Sequence, residues 1–119
     1  MDVNKVLVFD DFRYFSKFLK YEFKGIKFVN GDKRSIFYGD DIDKELSLVV
    51  FALYSEDDLI NVLRLYSSGV QLLVCNHSPK FVNKISDIKN LDVLDCMDTK
   101  RGLKKDLHNY FEGTFNLIN

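Results

Sequence analysis

Five short apolar runs, each followed by a stretch with helical spacing, constrain this chain more than any other feature. The runs are Lys5–Phe9 (KVLVF), Ile26–Asn30 (IKFVN), Leu46–Tyr54 (LSLVVFALY), Val70–Cys75 (VQLLVC) and Leu91–Cys96 (LDVLDC). Each has the length and composition of a strand and is bounded by polar residues or glycine. LSLVVFALY is the most apolar of them, which places it at the centre of a sheet. Between the runs, apolar residues recur three and four positions apart: Phe12, Phe15, Leu19 and Phe23 before Gly25, then Leu59, Val62, Leu63 and Tyr66 before Gly69. Phe81, Ile85 and Ile88 repeat the spacing, and so do Leu103, Leu107, Tyr110 and Phe111 in a last helix from about Thr99. Ser55 with Asp58 three residues on has the form of a capping box. Ser78-Pro79 offers an N-cap followed by proline at the first helical position. Asp32–Glu45 is the least patterned stretch, with room for a short helix around Ser35–Tyr38 before the acidic turn GDDIDKE.

A strand-helix unit repeated five times predicts a parallel sheet with right-handed crossovers and helices on both faces. Five units of this size suit an α/β, flavodoxin-like, five-stranded sheet in the order 2-1-3-4-5, as a single domain over residues 1–119. Sites in such sheets lie at the carboxyl ends of the strands. Here those ends carry Asp10-Asp11, Ala52-Leu53-Tyr54, Cys75-Asn76 and Asp95-Cys96.

Composition narrows the function classes. Hydrophobic residues are 46% of the 119, too many for a disordered chain, yet no run approaches the 18 apolar residues of a membrane span. The N-terminus MDVNKVLVFDD breaks into acids too early for a signal peptide, so a cytoplasmic location is expected. Seventeen basic residues against eighteen acidic ones argue against a generic nucleic-acid binder. Two cysteines make neither a disulfide framework nor a zinc pattern. The abundance of Lys, Asn, Ile, Phe and Tyr, with Ala52 as the single alanine, reads as the codon usage of an AT-rich, bacterial genome.

The apolar opening that runs into Asp10-Asp11, the order and length of the elements, and the intervals between strands resemble a response-regulator receiver domain of two-component signalling and phosphorelay. The resemblance covers nearly the whole chain. It implies that Asp10 and Asp11 hold Mg²⁺, that an Asp ending the third strand accepts a phosphoryl group, and that a Thr or Ser and a Lys end strands four and five. This sequence departs from that pattern. Ala52 stands at the acceptor position, or Phe51 with a one-residue slip, and neither side chain has a nucleophilic oxygen. Cys75 or Asn76 replaces the Thr or Ser, and Cys96 or Met97 replaces the Lys. Asp10 and Asp11 are then a vestigial metal site that binds Mg²⁺ weakly at best, and no cofactor is expected. The chain looks like a pseudo-receiver.

Each feature also has a plainer role. Asp10 ends a strand and Asp11 caps helix one. Asp57 and Asp58 favour a helix N-terminus rather than serving as a displaced acceptor. Cys75 and Cys96 end neighbouring strands, so they lie close together, as buried small hydrophobes or as a redox pair. His77 sits at the same edge, within reach of Asp10 or Asp11. Lys100, Arg101, Lys104 and Lys105 form a basic cluster that Asp95, Asp98 and Asp106 interrupt. Tyr14, Phe18 and Tyr21 flank the inner stripe of helix one, where they either pack in the core or mark an interface.

The leading expectation is a non-phosphorylatable domain that acts by protein–protein contact, with a protein partner or a second copy. The resemblance places its contact surface over about Pro79–Phe115, including Lys100, Lys104 and Tyr110. The rival is a small-ligand-binding or enzymatic flavodoxin-like domain using the cleft near Asp10, Cys75, His77 and Asp95. DDFRY after the first strand is no glycine-rich phosphate loop, which counts against the rival. The chain stops soon after the last helix, which leaves open a stand-alone adaptor and a piece of a longer protein.

Overall fold

A computed structural model describes residues 4–37 and 48–115. The elements are β1 (Lys5–Phe9), α1 (Tyr14–Glu22), β2 (Lys27–Asn30), α2 (Lys33–Phe37), β3 (Leu48–Leu53), α3 (Glu56–Ser67), β4 (Leu72–Asn76), a 3-10 turn (Pro79–Phe81) running into α4 (Val82–Ser86), β5 (Asp92–Asp95) and α5 (Lys100–Phe115). The strands form one parallel sheet in the order β2-β1-β3-β4-β5. The expected fold class and strand order are therefore those of the structure. The acidic turn GDDIDKE lies outside the described residues.

Every residue of β3 is buried, as expected of the central strand. Alternation along the strands divides the core in two. Val6, Val8, Val50, Ala52, Leu73 and Cys75 face α1 and α5, where Phe15, Leu19, Phe23, Leu107 and Phe111 pack on them. Phe9, Val49, Phe51, Leu53 and Val74 face the other way, onto Ile36, Val62, Leu65, Phe81 and Ile85. Phe111 is fully buried, with its ring 4.8 Å from that of Phe23 and 6.0 Å from that of Phe28. Truncating such a residue to alanine costs about 3–5 kcal/mol.

Two helical stripes differ from the sequence reading. Phe12 is 59% exposed, because the chain turns through Arg13 in the left-handed region (φ 62°) and α1 starts only at Tyr14. On α3, Leu63 and Tyr66 are exposed, and the buried stripe is Asp58, Val62 and Leu65. The phase is set by Asp58, which is drawn inward by its partners. Of the aromatic flank of α1, Tyr14 and Tyr21 are exposed, while Phe18 packs against the core.

The helix ends follow the sequence signals. Ser55 Oγ accepts from the Asp58 amide while the Asp58 carboxylate accepts from the Ser55 amide, a complete capping box. Ser78 Oγ accepts from the Lys80 amide, ahead of Pro79 at the first position of the 3-10 turn. Gly31 is required where β2 ends: a methyl group there would lie 2.5 Å from the Phe9 ring. The tight turn behind it carries Lys33 across the carboxyl ends of the strands.

Candidate functional site

The carboxyl ends of β1, β3, β4 and β5 bring together Asp10, Asp11, Tyr54, Cys75, His77 and Cys96, joined by Lys33 and Asp58. On the β1 side, Asp10 is the helix cap. Its Oδ2 accepts from the Ser16 amide at 3.0 Å and its Oδ1 from the Phe12 amide at 3.3 Å. Oδ1 also accepts from the Tyr54 hydroxyl at 2.6 Å, a charge-assisted bond between the ends of β1 and β3. Burial and the Asp10 carboxylate both push the Tyr54 phenol far up, so it stays a donor. Asp10 therefore does the capping that the sequence assigned to Asp11. Asp11 is half exposed and pairs instead with Lys33 Nζ at 2.7 Å.

Lys33 holds a second carboxylate. Its ammonium also pairs with Asp58 Oδ1, so one cation lies between Asp11 and Asp58. Asp58 is 2% exposed, and its other oxygen accepts from the Tyr54 amide at 2.9 Å and the Ser55 amide at 3.2 Å. The Lys33 ammonium also lies 5.1 Å from the centre of the Phe51 ring. These contacts meet the general requirement that a buried charge be paired and hydrogen-bonded. Neither Lys33 nor the burial of Asp58 was evident from the sequence. Lys33 lies in the least patterned stretch, and the available signal was its place just past the end of a strand, where this topology gathers polar groups.

The residue in register with the strand end is Ala52. It follows Phe51, which pairs with Phe9 immediately before Asp10, and it lies opposite Cys75 on β4. Its methyl group is fully buried. Two residues on, the Tyr54 ring fills the space over the strand ends and stacks on His77, with centroids 4.6 Å apart and planes at 24°. Phe12 packs edge-on against Tyr54, and Phe15 against His77. His77 thus meets Asp10 through Tyr54. A cavity of about 420 Å³ lies to one side, between the ends of β1 and β2, lined by Asp10, Asp11, Arg13, Asn30, Gly31, Asp32 and Lys33. It does not reach Cys75, His77 or Asp95.

On the β4–β5 side, Cys75 and Cys96 share the core that faces α1 and α5, and each thiol perturbs the other. Cys75 is fully buried, and burial pushes its thiol well up. Cys96, half-buried in the turn after β5, is held down to about 6 by the neighbouring Cys75 thiol and further by His77, against burial and the Asp95 charge. Nε2 of His77 is buried and makes no hydrogen bond of good geometry. Both cysteines are free thiols, and no group of three metal-ligating side chains occurs among the described residues.

The residues expected to form a contact surface lie around α5. Lys100 is exposed. Lys104 reaches Glu22 of α1 at 3.6 Å, beside His108 Nε2, which contacts Glu22 at 3.0 Å. The Tyr110 hydroxyl donates to Asp92 of β5 at 3.0 Å. Lys104 and Tyr110 therefore occupy two flanks of α5, one toward α1 and one toward the β5 edge. No helix among the described residues is long and apolar enough to cross a membrane.

Comparison with protein-family models, with curated proteins and with solved structures finds no match to this chain.

Proposed function

We propose that this chain is a receiver-like domain that cannot be phosphorylated at its strand-end cleft and that signals through protein–protein contact. One observation carries the reading: the buried methyl of Ala52 stands in register beside Asp10, where a receiver would present its acceptor carboxylate. Phosphoryl transfer needs a nucleophilic oxygen at that point. The neighbouring acids are also committed, Asp10 to the α1 amides and Tyr54, and Asp11 and Asp58 to Lys33. An ammonium on the chain thus supplies the positive charge that a divalent ion would bring, which leaves Mg²⁺ a poor set of ligands.

The contact surface in this reading is α4, β5 and α5. β5 is an edge strand with exposed Asp92 and Asp95, and α5 presents Lys100, Arg101 and Lys105 to solvent. The partner is a second copy or another protein, in a cytoplasmic signalling role. Light scattering across a concentration series tests this, with and without acetyl phosphate and Mg²⁺. The expected result is weak association that the phosphoryl donor leaves unchanged and that Lys104→Glu and Tyr110→Ala both weaken. Association that appears only with the donor contradicts the reading, as does a strict monomer that recovers no partner from its host. The rival small-ligand reading has less support, because Tyr54 and His77 fill the centre of the strand-end surface.

A further inference from the structure

Two thiols meet an imidazole at the one part of the strand-end surface that the receiver-like reading leaves without a task. Cys75 lies opposite Leu94, and Cys96 comes two residues after Leu94, so both side chains belong to the α1–α5 side of the sheet. The Cys96 amide donates to the Asn76 carbonyl at 2.9 Å, which extends the β4–β5 pairing by one residue. It holds Cys96 beside β4, packed against the core cluster that contains Cys75. The strand pairing ends at Asp95 and the chain turns away after the Cys96 amide, so the turn beyond it can shift to bring the sulfurs to the bond length of about 2 Å.

We propose that Cys75 and Cys96 form a reversible dithiol–disulfide couple that responds to peroxide. The two cysteines are not equivalent, and their difference sets the order of steps. Cys96 is half-buried beside the exposed Met97, while Cys75 has no exposed surface. Cys75 and His77 favour the Cys96 thiolate, while the Asp95 charge opposes it. The thiolate is the nucleophile toward peroxide. Cys96 therefore attacks a peroxide oxygen: a sulfur–oxygen bond forms, the oxygen–oxygen bond breaks, and the departing hydroxide takes a proton to become water. Cys75 then attacks the sulfenic sulfur of Cys96. The sulfur–sulfur bond forms, the sulfur–oxygen bond breaks, and the hydroxyl leaves as water with the Cys75 proton. In sum, two thiols and one hydrogen peroxide give one disulfide and two waters. A small dithiol reverses the step by exchange.

A resolving thiol within the core also protects Cys96 from over-oxidation, because an unresolved sulfenic acid goes on to sulfinic acid. The couple is independent of the phosphoryl reading, since neither cysteine needs the acids at β1.

The test treats the reduced 119-residue chain with hydrogen peroxide and follows intact mass and a non-reducing peptide map. The expected result is loss of the mass of two hydrogens, a crosslink between the peptides that carry Cys75 and Cys96, and full reversal by dithiothreitol. Cys96→Ser abolishes the reaction. Cys75→Ala, which keeps a small apolar side chain in the core, halts it at a Cys96 sulfenic acid that dimedone captures. Circular dichroism confirms that both variants are folded. Sulfinic acid on Cys96 of the unsubstituted chain without a crosslink overturns the proposal, and so does a disulfide that joins two chains instead of one.

Discussion

At the ends of β1 and β3, three carboxylates are each paired within the chain, while at the ends of β4 and β5 two thiols and a histidine lie together. Asp10 takes two amides and a phenol, and Asp58 takes two amides and an ammonium that it shares with Asp11. On the other side, Cys96 is polarised toward its thiolate and His77 keeps a buried nitrogen without a good hydrogen bond. The same topology gathers polar groups at both places. What differs is whether their charge is neutralised within the chain. The first half is a structural lock in which ions hold loops together, and the second keeps chemical reactivity.

The largest effect is expected from breaking the lock at its buried member. Asp58→Ala orphans the Tyr54 and Ser55 amides and leaves Lys33 with only half-exposed Asp11, at a cost of about 3 kcal/mol in urea unfolding. Asp58→Asn, which keeps an acceptor, loses less. A loss below about 1 kcal/mol for the alanine variant would mean that Lys33 reaches water at little cost.

The reactive half is sharpened by alkylation kinetics. In the native chain at neutral pH, iodoacetamide is expected to label Cys96 about a hundredfold faster than Cys75. Because Cys96 is held down to about 6, the thiolate persists above that pH and the labelling rate falls as pH drops through it. His77→Gln removes one of the groups that favour the thiolate, so the midpoint moves up toward the ordinary thiol range. An unshifted midpoint would make His77 a packing residue only.

Smaller changes are expected for the link between the halves and for the exposed acid. Tyr54→Phe keeps the ring on His77 but removes the bond to Asp10, costing about 1.5 kcal/mol in thermal unfolding. Asp11→Asn changes stability by less than about 0.5 kcal/mol, since Asp11 is half exposed and Asp58 still holds Lys33. If the two variants proved equal, the distinction between a half-buried and a solvated carboxylate would fail.

The sequence was informative wherever a local rule decides the outcome. KVLVF as a buried strand, the Ser55–Asp58 box and the Ser78-Pro79 start are each fixed by residues within a few positions of one another. The strand order followed from unit size and crossover handedness. The closeness of Cys75 and Cys96 followed from that order. The contacts between distant elements were not legible. Lys33 meets Asp58 across 25 residues, and Tyr54 meets Asp10 across 44. No periodicity announces such contacts. The α3 stripe was legible in part: Leu59 and Val62 turn inward as read, whereas Leu63 and Tyr66 are exposed and Leu65 takes the buried place. Phe12 was misplaced because the left-handed turn at Arg13 delays the start of α1.

The absence of a phosphoryl acceptor at Ala52 is tested most directly by incubating the full chain with acetyl phosphate and Mg²⁺ and reading the intact mass. The expected result is an unmodified chain, for both the unsubstituted protein and Lys33→Met, in which the acids are released from their ammonium. One added phosphoryl group that disappears with Asp58→Asn would contradict this and make Asp58 a displaced acceptor. One that disappears with Asp10→Asn would make the first-strand acids themselves reactive.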